Sequence, residues 1–273
     1  MGPSFFHRNS IEALNNGAID GEARTPERRS TGSGCRQSLA QTDPGRGTAS
    51  GTNPAGAKII DLGTATLLLG LIDGHTHLFL DIIIPAKAET LRHNNGEFGP
   101  GLLLAIVKSP TKRALMGAQA AREDLESGIT TVRNLGHSGI DGDTELRDAI
   151  NAARVLGPRL LASGRKLIAQ GSYLQNLNPA LSDAILKQEF LLVQGVDQAR
   201  QAVRENMFQN VDVIKVTESE NISVAELTAV VEEAHREHLK VAVHAGDKAS
   251  IQMSIDASAD SIEHGNEATD EQL

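Results

Sequence analysis

Short apolar segments alternate with segments of helical periodicity from Lys58 onward, and this alternation is the strongest constraint on the fold. A strand, a helix and a further strand in that order are typical of parallel strands joined by helical crossovers. Six such units are predicted, and their strands are apolar on both faces, as in a barrel covered by helices and filled inside. The predicted fold class is α/β, a (β/α)8 TIM-barrel type that is incomplete, with about six strand–helix units.

The predicted elements follow from apolar runs, turn residues and caps. The predicted strands are 59–62, 65–72, 129–134, 159–162, 211–216, 240–244 and 260–264, and the predicted helices are 111–127 with Thr111 as cap, 144–156, 196–208, 223–238 and 247–257. Ser223 and Glu226 form a capping-box pattern, and 269–273 resembles a first helical turn. Two stretches, 79–110 and 163–195, are predicted as long loops that shape a substrate pocket, with plain surface loops as the alternative.

Composition separates a leader from the barrel and excludes several classes of partner. Residues 1–57 are rich in Gly, Pro, Ser and Thr, which predicts a disordered or artefactual leader before a barrel domain at 58–273. The net charge of −9 argues against a nucleic-acid partner. No apolar run is long enough for a membrane span, and no signal segment is present. The single Cys35 fits a reducing compartment, so a cytoplasmic location is expected.

Five candidate metal ligands stand at or near the ends of four predicted strands. His75 and His77 are separated by one residue, so they share a strand face, together with Asp73. Lys215, His244 and His264 lie at the ends of three later strands. Imidazole nitrogens grouped in this way suit a divalent metal. For each histidine taken alone, a hydrogen-bonded or surface position remains an alternative.

Lys215 and the remaining histidines leave further alternatives open. An unpaired buried ammonium is costly, so Lys215 must pair with a carboxylate such as Glu218 or Glu220, lose its proton or be modified. His235 and His238 fall on a predicted helix and are expected to be partly buried or solvated. Among the leader and loop histidines, only His137 directly follows a strand end and can line a pocket.

Six segments carry a family resemblance, and they occur in the family's order along the chain. They are KIIDLGTATLLLGLIDGHTHL (58–78), GITTVRNLG (128–136), LRDAINAARVLGPRLLASG (146–164), DVIKV (212–216), VAVHAG (241–246) and DSIEHG (260–265). These segments resemble the amidohydrolase superfamily. The branch resembled is that of imidazolonepropionase-like hydrolases and of the dipeptidases and carboxypeptidases that act on Xaa-Pro or basic-residue peptides.

The resemblance implies two divalent metal ions, with zinc expected and manganese, iron or cobalt as alternatives. His75 and His77 match the ligands of the more buried metal, whereas His244 and His264 match those of the second. Lys215 matches the lysine that takes up carbon dioxide and bridges the metals as a carbamate. His244 is the candidate catalytic residue in this chain, because nothing matches the family's strand-eight aspartate.

The chain also departs from the family pattern. Leu69 stands where the family has a proline, and only residues 57–66 resemble part of the accompanying β-sandwich. The sequence is expected to stop before the last two barrel strands.

The resemblance implies a metal-dependent hydrolase of amide or peptide-like C–N bonds, acting on a small-molecule or dipeptide substrate through a metal-activated hydroxide. Two alternatives remain: a truncated, catalytically incomplete fragment that binds metal, or a metal-free barrel that binds a small anionic ligand. A homo-oligomer is compatible with the sequence.

Overall fold

The computed structural model of the chain describes residues 56, 64–80, 105, 107–169, 178–217 and 221–273. The chain divides into two compact units, residues 1–69 and residues 70–273, and all the strands and helices described lie in the second. The predicted leader, apart from Gly56, and the predicted strand 59–62 lie outside the described residues. None of the described helices combines the length and the apolar character needed to cross a membrane.

Strands and helices alternate along the described part of the second unit. They are β1 (Leu71–Thr76), α1 (Pro110–Glu126), β2 (Ile129–Asn134), α2 (Gly142–Asn151), β3 (Arg159–Ala162), β4 (Lys166–Ala169), α3 (Pro179–Glu189), β5 (Phe190–Val193), α4 (Val196–Phe208), β6 (Val213–Val216), α5 (Val224–Arg236), β7 (Lys240–Ala245), α6 (Lys248–Asp256) and β8 (Ser261–His264). The predicted α/β class is confirmed.

The strands form two parallel sheets. One has the order β1-β2-β3 and the other the order β5-β4-β6-β7-β8. Every pairing between neighbouring strands is parallel, including β2 with β3 and β7 with β8. All carboxyl ends within a sheet therefore lie at the same edge, where the ends of several strands can share one site.

β3 and β4 are consecutive parts of one strand path and connect the two sheets. The amide of Asp212, just before β6, donates to the carbonyl of Ala162 at the end of β3 (2.8 Å). Beyond the bend, Leu167 of β4 pairs with Val216 of β6. Gly164 turns the chain between them at φ +64°, and a Cβ there would lie 2.9 Å from Val211. The described strands therefore occupy six barrel positions, as predicted, with β5 as an additional strand.

The alternation of side chains along β6 and β7 separates a helix-facing core from the barrel interior. Val241, Val243 and Ala245 of β7 join the large buried cluster that includes Val230 of α5. Ala242, between them, instead packs with Leu135 and Val213 in a small separate cluster. Because period-2 alternation continues along each strand, Lys215 and His244 lie on the same face as this interior cluster.

The predicted loop 163–195 is wrong, because it contains regular structure. Residues 166–169 form β4, 179–189 form α3 and 190–193 form β5. β4 and β5 are short apolar runs whose partners are each other and the distant β6. Such partners are not visible in a local pattern. The prediction for 79–110 lies almost entirely outside the described residues.

Several element ends also differ from the prediction. The predicted strand 65–72 is wrong for most of its length, since residues 65–70 have no regular structure and β1 continues to Thr76. α1 is capped by Ser109, whose hydroxyl accepts from the amide of Lys112, and not by Thr111. α2 ends at Asn151 and not at residue 156, because Ala153 adopts φ +55° and leaves the helical conformation.

The remaining helices largely follow the prediction. α4 has the predicted bounds, and the capping box of Ser223 and Glu226 at α5 is present. α5 stops before His238, which has φ +61° and lies outside the helix. α6 is capped by Asp247, whose side chain accepts from two backbone amides. Residues 269–273 form a hydrogen-bonded turn, with the amide of Leu273 donating to the carbonyl of Thr269.

Candidate metal centre at the carboxyl ends of the strands

The four histidines predicted as ligands come together although 189 positions separate the first from the last. His75 lies in β1, His77 directly follows it, His244 lies in β7 and His264 ends β8. The ring centroid of His75 is 5.2 Å from that of His77 and 5.0 Å from that of His264. The rings of His244 and His264 are 4.3 Å apart. The strand ends thus bring the imidazoles from both sheets into one group.

Lys215 of β6 is buried and lacks a hydrogen-bond partner among the described residues. Its side chain is 2% exposed, and its Nζ makes no hydrogen bond. Burial lowers its pKa to about 8, with Glu263 opposing and Arg133 reinforcing the shift. The predicted alternative of a pair with Glu218 or Glu220 concerns residues outside the described part.

Three histidines of the group, His77, His244 and His264, have lowered pKa values that favour the neutral ring. Burial, followed by the charges of Lys166 and His75, lowers the pKa of His77 to about 3. Burial and the neighbouring His264 and Lys215 lower the pKa of His244 to about 4. The pKa of His264 is lowered too, again first by burial. Neutral imidazoles offer a nitrogen lone pair, which is what a metal ligand requires.

Glu263 and Arg133 belong to the same group but were absent from the predicted site. Glu263 Oε2 lies 2.8 Å from His75 Nδ1, and Arg133 Nη2 donates to Glu263 Oε1 at 2.6 Å. Both residues lie within segments that carry the family resemblance. A charged residue within a predicted strand was the signal available in the sequence, but the partner of each charge could not be read from it.

His137 and Lys166 extend the group next to His77. The ring of His137 lies 4.8 Å from that of His77, and Lys166 Nζ lies 2.7 Å from His137 Nε2. Lys166 is 3% exposed, and its Nζ is 4.7 Å from the centre of the Phe190 ring. The structure places His137 beside the histidine group, as the sequence indicated. Lys166 was missed because its strand β4 was predicted as loop.

The helical histidines lie away from this group, as expected. His235 of α5 is within 2.8 Å of the carboxylate of Asp260, before β8, and His238 is exposed after the helix end. His235 therefore contacts the residue just before the amino-terminal end of β8, and His238 is exposed at the surface.

A buried hydrogen-bond network fixes the backbone where β1, β2 and β3 end. Asn134 accepts from the amide of Leu78 at 2.9 Å and donates to Asp143 at 3.1 Å. Asp143 also accepts from the amides of Ser163 and Gly164 at 3.0 and 3.1 Å. Burial raises the pKa of Asp143, and these hydrogen bonds oppose the shift. The strand ends that carry His75 and His77 are thereby tied together.

The donor set fits a divalent metal in its chemistry. In the part of the chain that the structure describes, no group of three or more His, Cys, Asp or Glu side chains is arranged to hold a metal ion. Four imidazoles nevertheless converge there, and the buried amine of Lys215 makes no hydrogen bond among the described residues. Nitrogen and oxygen donors of this kind suit zinc and neighbouring transition metals.

Known proteins resemble the chain over this region. Ochratoxinase from Aspergillus niger is 31% identical over 192 residues, covering 59% of this chain and 38% of that protein. A solved amidohydrolase structure has a TM-score of 0.66 and 25% identity, covering 82% of this chain and 54% of that one. A Xaa-Pro dipeptidase with bound methionine has a TM-score of 0.59 and 26% identity, covering 75% and 50%.

The chain therefore spans 38% of the curated relative and about half of each solved structure. The amidohydrolase family model matches residues 66–272, which is well over half of the 273 residues and includes every strand of both sheets. On this match, the chain belongs to the amidohydrolase family.

Proposed function

We propose that this chain carries the metal centre of a hydrolase that cleaves amide or peptide-like C–N bonds. The observation that carries the proposal is the convergence of four histidines and one buried lysine at the strand ends, the lysine having no hydrogen bond within the described part of the chain. Family membership supports the same reaction class. Small amides, dipeptides above all, are the proposed substrates, as the name of the Xaa-Pro dipeptidase indicates for that neighbour.

In this proposal, His75 and His77 hold one divalent metal, while His244 and His264 hold a second, with zinc as the expected ion. Metals bound there supply Lewis-acid polarisation of a carbonyl and acidification of a water molecule. The site then needs anionic charge to balance them, which the neutral histidines do not provide.

Lys215 supplies that charge after carbamylation. Because burial lowers its pKa to about 8, a substantial fraction of its amine is neutral and nucleophilic near neutral pH. The neutral amine attacks carbon dioxide, a new N–C bond forms, and one proton leaves to solvent. The product is a carbamate anion in place of a buried, unpaired amine.

Metal analysis of the purified 273-residue chain tests the centre. We expect two equivalents of zinc in the presence of bicarbonate and a marked loss in Lys215→Met. Less than one equivalent in the unmodified chain contradicts the two-metal centre and favours a metal-free, ligand-binding barrel.

Hydrolysis tests the activity. Xaa-Pro and Xaa-Arg dipeptides, cyclic amides and ochratoxin form the substrate panel. His244→Asn is expected to abolish any hydrolysis seen, while His235→Asn, on the outer helix, is expected to retain it. Activity unchanged in His244→Asn contradicts the proposed catalytic role. Two bound metals without hydrolysis of any substrate indicate the metal-binding but catalytically incomplete alternative.

A further inference from the structure

The carboxylate of Glu263 joins the two sheets across the barrel interior. Glu263 lies on β8 of the five-stranded sheet, whereas its partners His75 and Arg133 lie on β1 and β2 of the three-stranded sheet. Its side chain is 6% exposed. Its Oε2 lies 2.8 Å from His75 Nδ1, and its Oε1 lies 2.6 Å from Arg133 Nη2. Each oxygen therefore has a distinct partner.

Arg133 fixes the position of this carboxylate. Its Nε donates to the carbonyl of Gly74 in β1 at 2.6 Å, and its Nη1 donates to Ser261 Oγ at 3.0 Å. Ser261 in turn donates to Glu263 Oε1 at 2.8 Å. The planar guanidinium thus contacts β1 and β8 at once, which leaves the Glu263 side chain little freedom to rotate.

The hydrogen-bond donors around Glu263 determine which nitrogen of His75 carries a proton. Glu263 Oε1 accepts from Arg133 Nη2 at 2.6 Å and from Ser261 Oγ at 2.8 Å, and a guanidinium is always charged, so Glu263 is present as the carboxylate. An ionised carboxylate can only accept hydrogen bonds. His75 Nδ1 must therefore carry a proton, and in the neutral ring Nε2 is the nitrogen with a free lone pair.

We propose that Glu263, held by Arg133, is a positioning residue that fixes His75 as the Nδ1–H tautomer and reserves His75 Nε2 for the metal. The part of this inference that concerns the metal rests on the proposed function, whereas the tautomer does not. A carboxylate behind a ligating histidine orients the ring and raises its basicity. The competing arrangement, in which Glu263 itself ligates the metal, predicts a different zinc stoichiometry for Glu263→Gln.

The first experiment measures the tautomer in the metal-free, 15N-labelled chain. Two-bond 1H–15N correlations of the neutral imidazole distinguish Nδ1–H from Nε2–H, and His75→Asn identifies the His75 signals. We expect the Nδ1–H form. In Glu263→Gln, Arg133 and Ser261 still donate to the remaining oxygen, so the amide nitrogen faces His75 and donates to Nδ1. The expected tautomer then changes to Nε2–H, although side-chain size is unchanged.

Glu233→Gln is the matched control. Glu233 is 4% exposed and also paired with arginines, but it lies on α5 and contacts Arg204 and Arg236. Its substitution is expected to leave the His75 tautomer unchanged. An Nε2–H tautomer in the unmodified chain, or the same tautomer in Glu263→Gln, overturns the inference. If Glu263→Gln does not fold, the His75 tautomer measured in the unmodified chain still tests the inference.

The second experiment measures zinc stoichiometry and affinity by competition with a chelator in bicarbonate. Glu263→Gln is expected to keep the number of bound ions and to weaken their affinity by ~10- to 100-fold. Loss of a whole equivalent shows that Glu263 is a ligand and overturns the positioning role. Absence of zinc from the unmodified chain refutes the proposed function, and with it the metal half of this inference. The tautomer result still decides the effect of Glu263 on His75.

Discussion

A buried ion pair between the helices and a buried lysine inside the barrel are bonded very differently. Between helices α1 and α3, Arg113 and Glu189 form an ion pair at 2.5 Å with exposures of 2% and 0%. Arg113 also donates to the carbonyl of His137, and Glu189 accepts from the amide of Gly139. Inside the barrel, Lys215 is equally buried yet has no hydrogen bond among the described residues.

This difference indicates different roles. Removing one partner of a buried ion pair is strongly destabilising because it leaves an uncompensated charge, whereas a buried charge without a partner already costs stability. The helix-side pair therefore supports the framework. The interior Lys215 is retained at a cost that a ligand or a modification would offset, which is typical of a functional site.

The largest effect is expected for the helix-side pair. Arg113→Met leaves Glu189 as an uncompensated buried charge, so the free energy of unfolding should fall by roughly 3–5 kcal/mol. Urea unfolding measures this loss, and Glu189→Gln should lose a smaller amount. The His75 tautomer should not change. A loss below about 1 kcal/mol contradicts the role assigned to the pair.

Inside the barrel, a substitution is expected to raise the free energy of unfolding instead of lowering it. Lys215→Met replaces an unpaired amine with an apolar side chain of similar length, so the metal-free chain should gain about 1–3 kcal/mol of stability. The same variant should lose zinc binding. Urea unfolding in the presence of a chelator gives the first quantity and metal analysis the second. If Lys215→Met is less stable than the unmodified chain, Lys215 already has a partner, and the proposed difference from the Arg113–Glu189 pair is wrong.

An intermediate effect is expected at Arg133, which belongs to the interior but has its partners. Arg133→Met removes charge-assisted hydrogen bonds from a side chain that is 23% exposed, so the expected loss is about 1–2 kcal/mol. Zinc affinity should fall as well, because Glu263 is then free to rotate. Arg133→Lys should recover part of the stability and part of the zinc affinity. Unchanged zinc affinity in Arg133→Met argues that the Glu263 position does not depend on Arg133.

The smallest effect is expected at Asp260, at the opposite ends of the strands. Burial alone raises its pKa, but hydrogen bonds from Lys240, His235 and the amide of Val241 lower it overall. A carboxyl with a lowered folded-state pKa stabilises above its ordinary pKa of about 4, and this stability disappears as the pH falls through the folded-state value.

Asp260→Asn should therefore be less stable than the unmodified chain by under about 1 kcal/mol at neutral pH. The difference should vanish in strong acid. Urea unfolding as a function of pH measures both limits, and zinc binding should not change. A stability difference that grows toward acid contradicts a lowered pKa for Asp260 in the folded chain.

Much of the barrel was predictable because its signals are local. The bounds of β2, β3 and α4 coincide with the apolar runs and helical periodicity that predicted them. The capping box at Ser223 is complete within four residues, so it was visible without any tertiary information. β4 and β5 were missed because they are four-residue segments that become strands only by pairing with each other and with β6.

The candidate site divides in the same way. The histidines were predictable because they stand at or near the ends of strands, and parallel strands place such ends together. Glu263 and Arg133 were not, since they are 130 positions apart and their contact depends on the arrangement of two sheets. Lys166 was not predicted because its strand, β4, was predicted as part of a loop. The metal-ligand roles themselves stay predictions that the zinc measurements test.

The sequence by itself determined the strand–helix order and the residue types at the strand ends, because periodicity and caps act over a few neighbouring residues. Only the tertiary structure decided which side chains share the interior. There, a carboxylate on β8 reaches a histidine on β1, and an amine on β6 is left without a hydrogen-bond partner among the described residues. The physical reason is that burial and pairing of charges depend on distances between strands, and no local pattern encodes those distances.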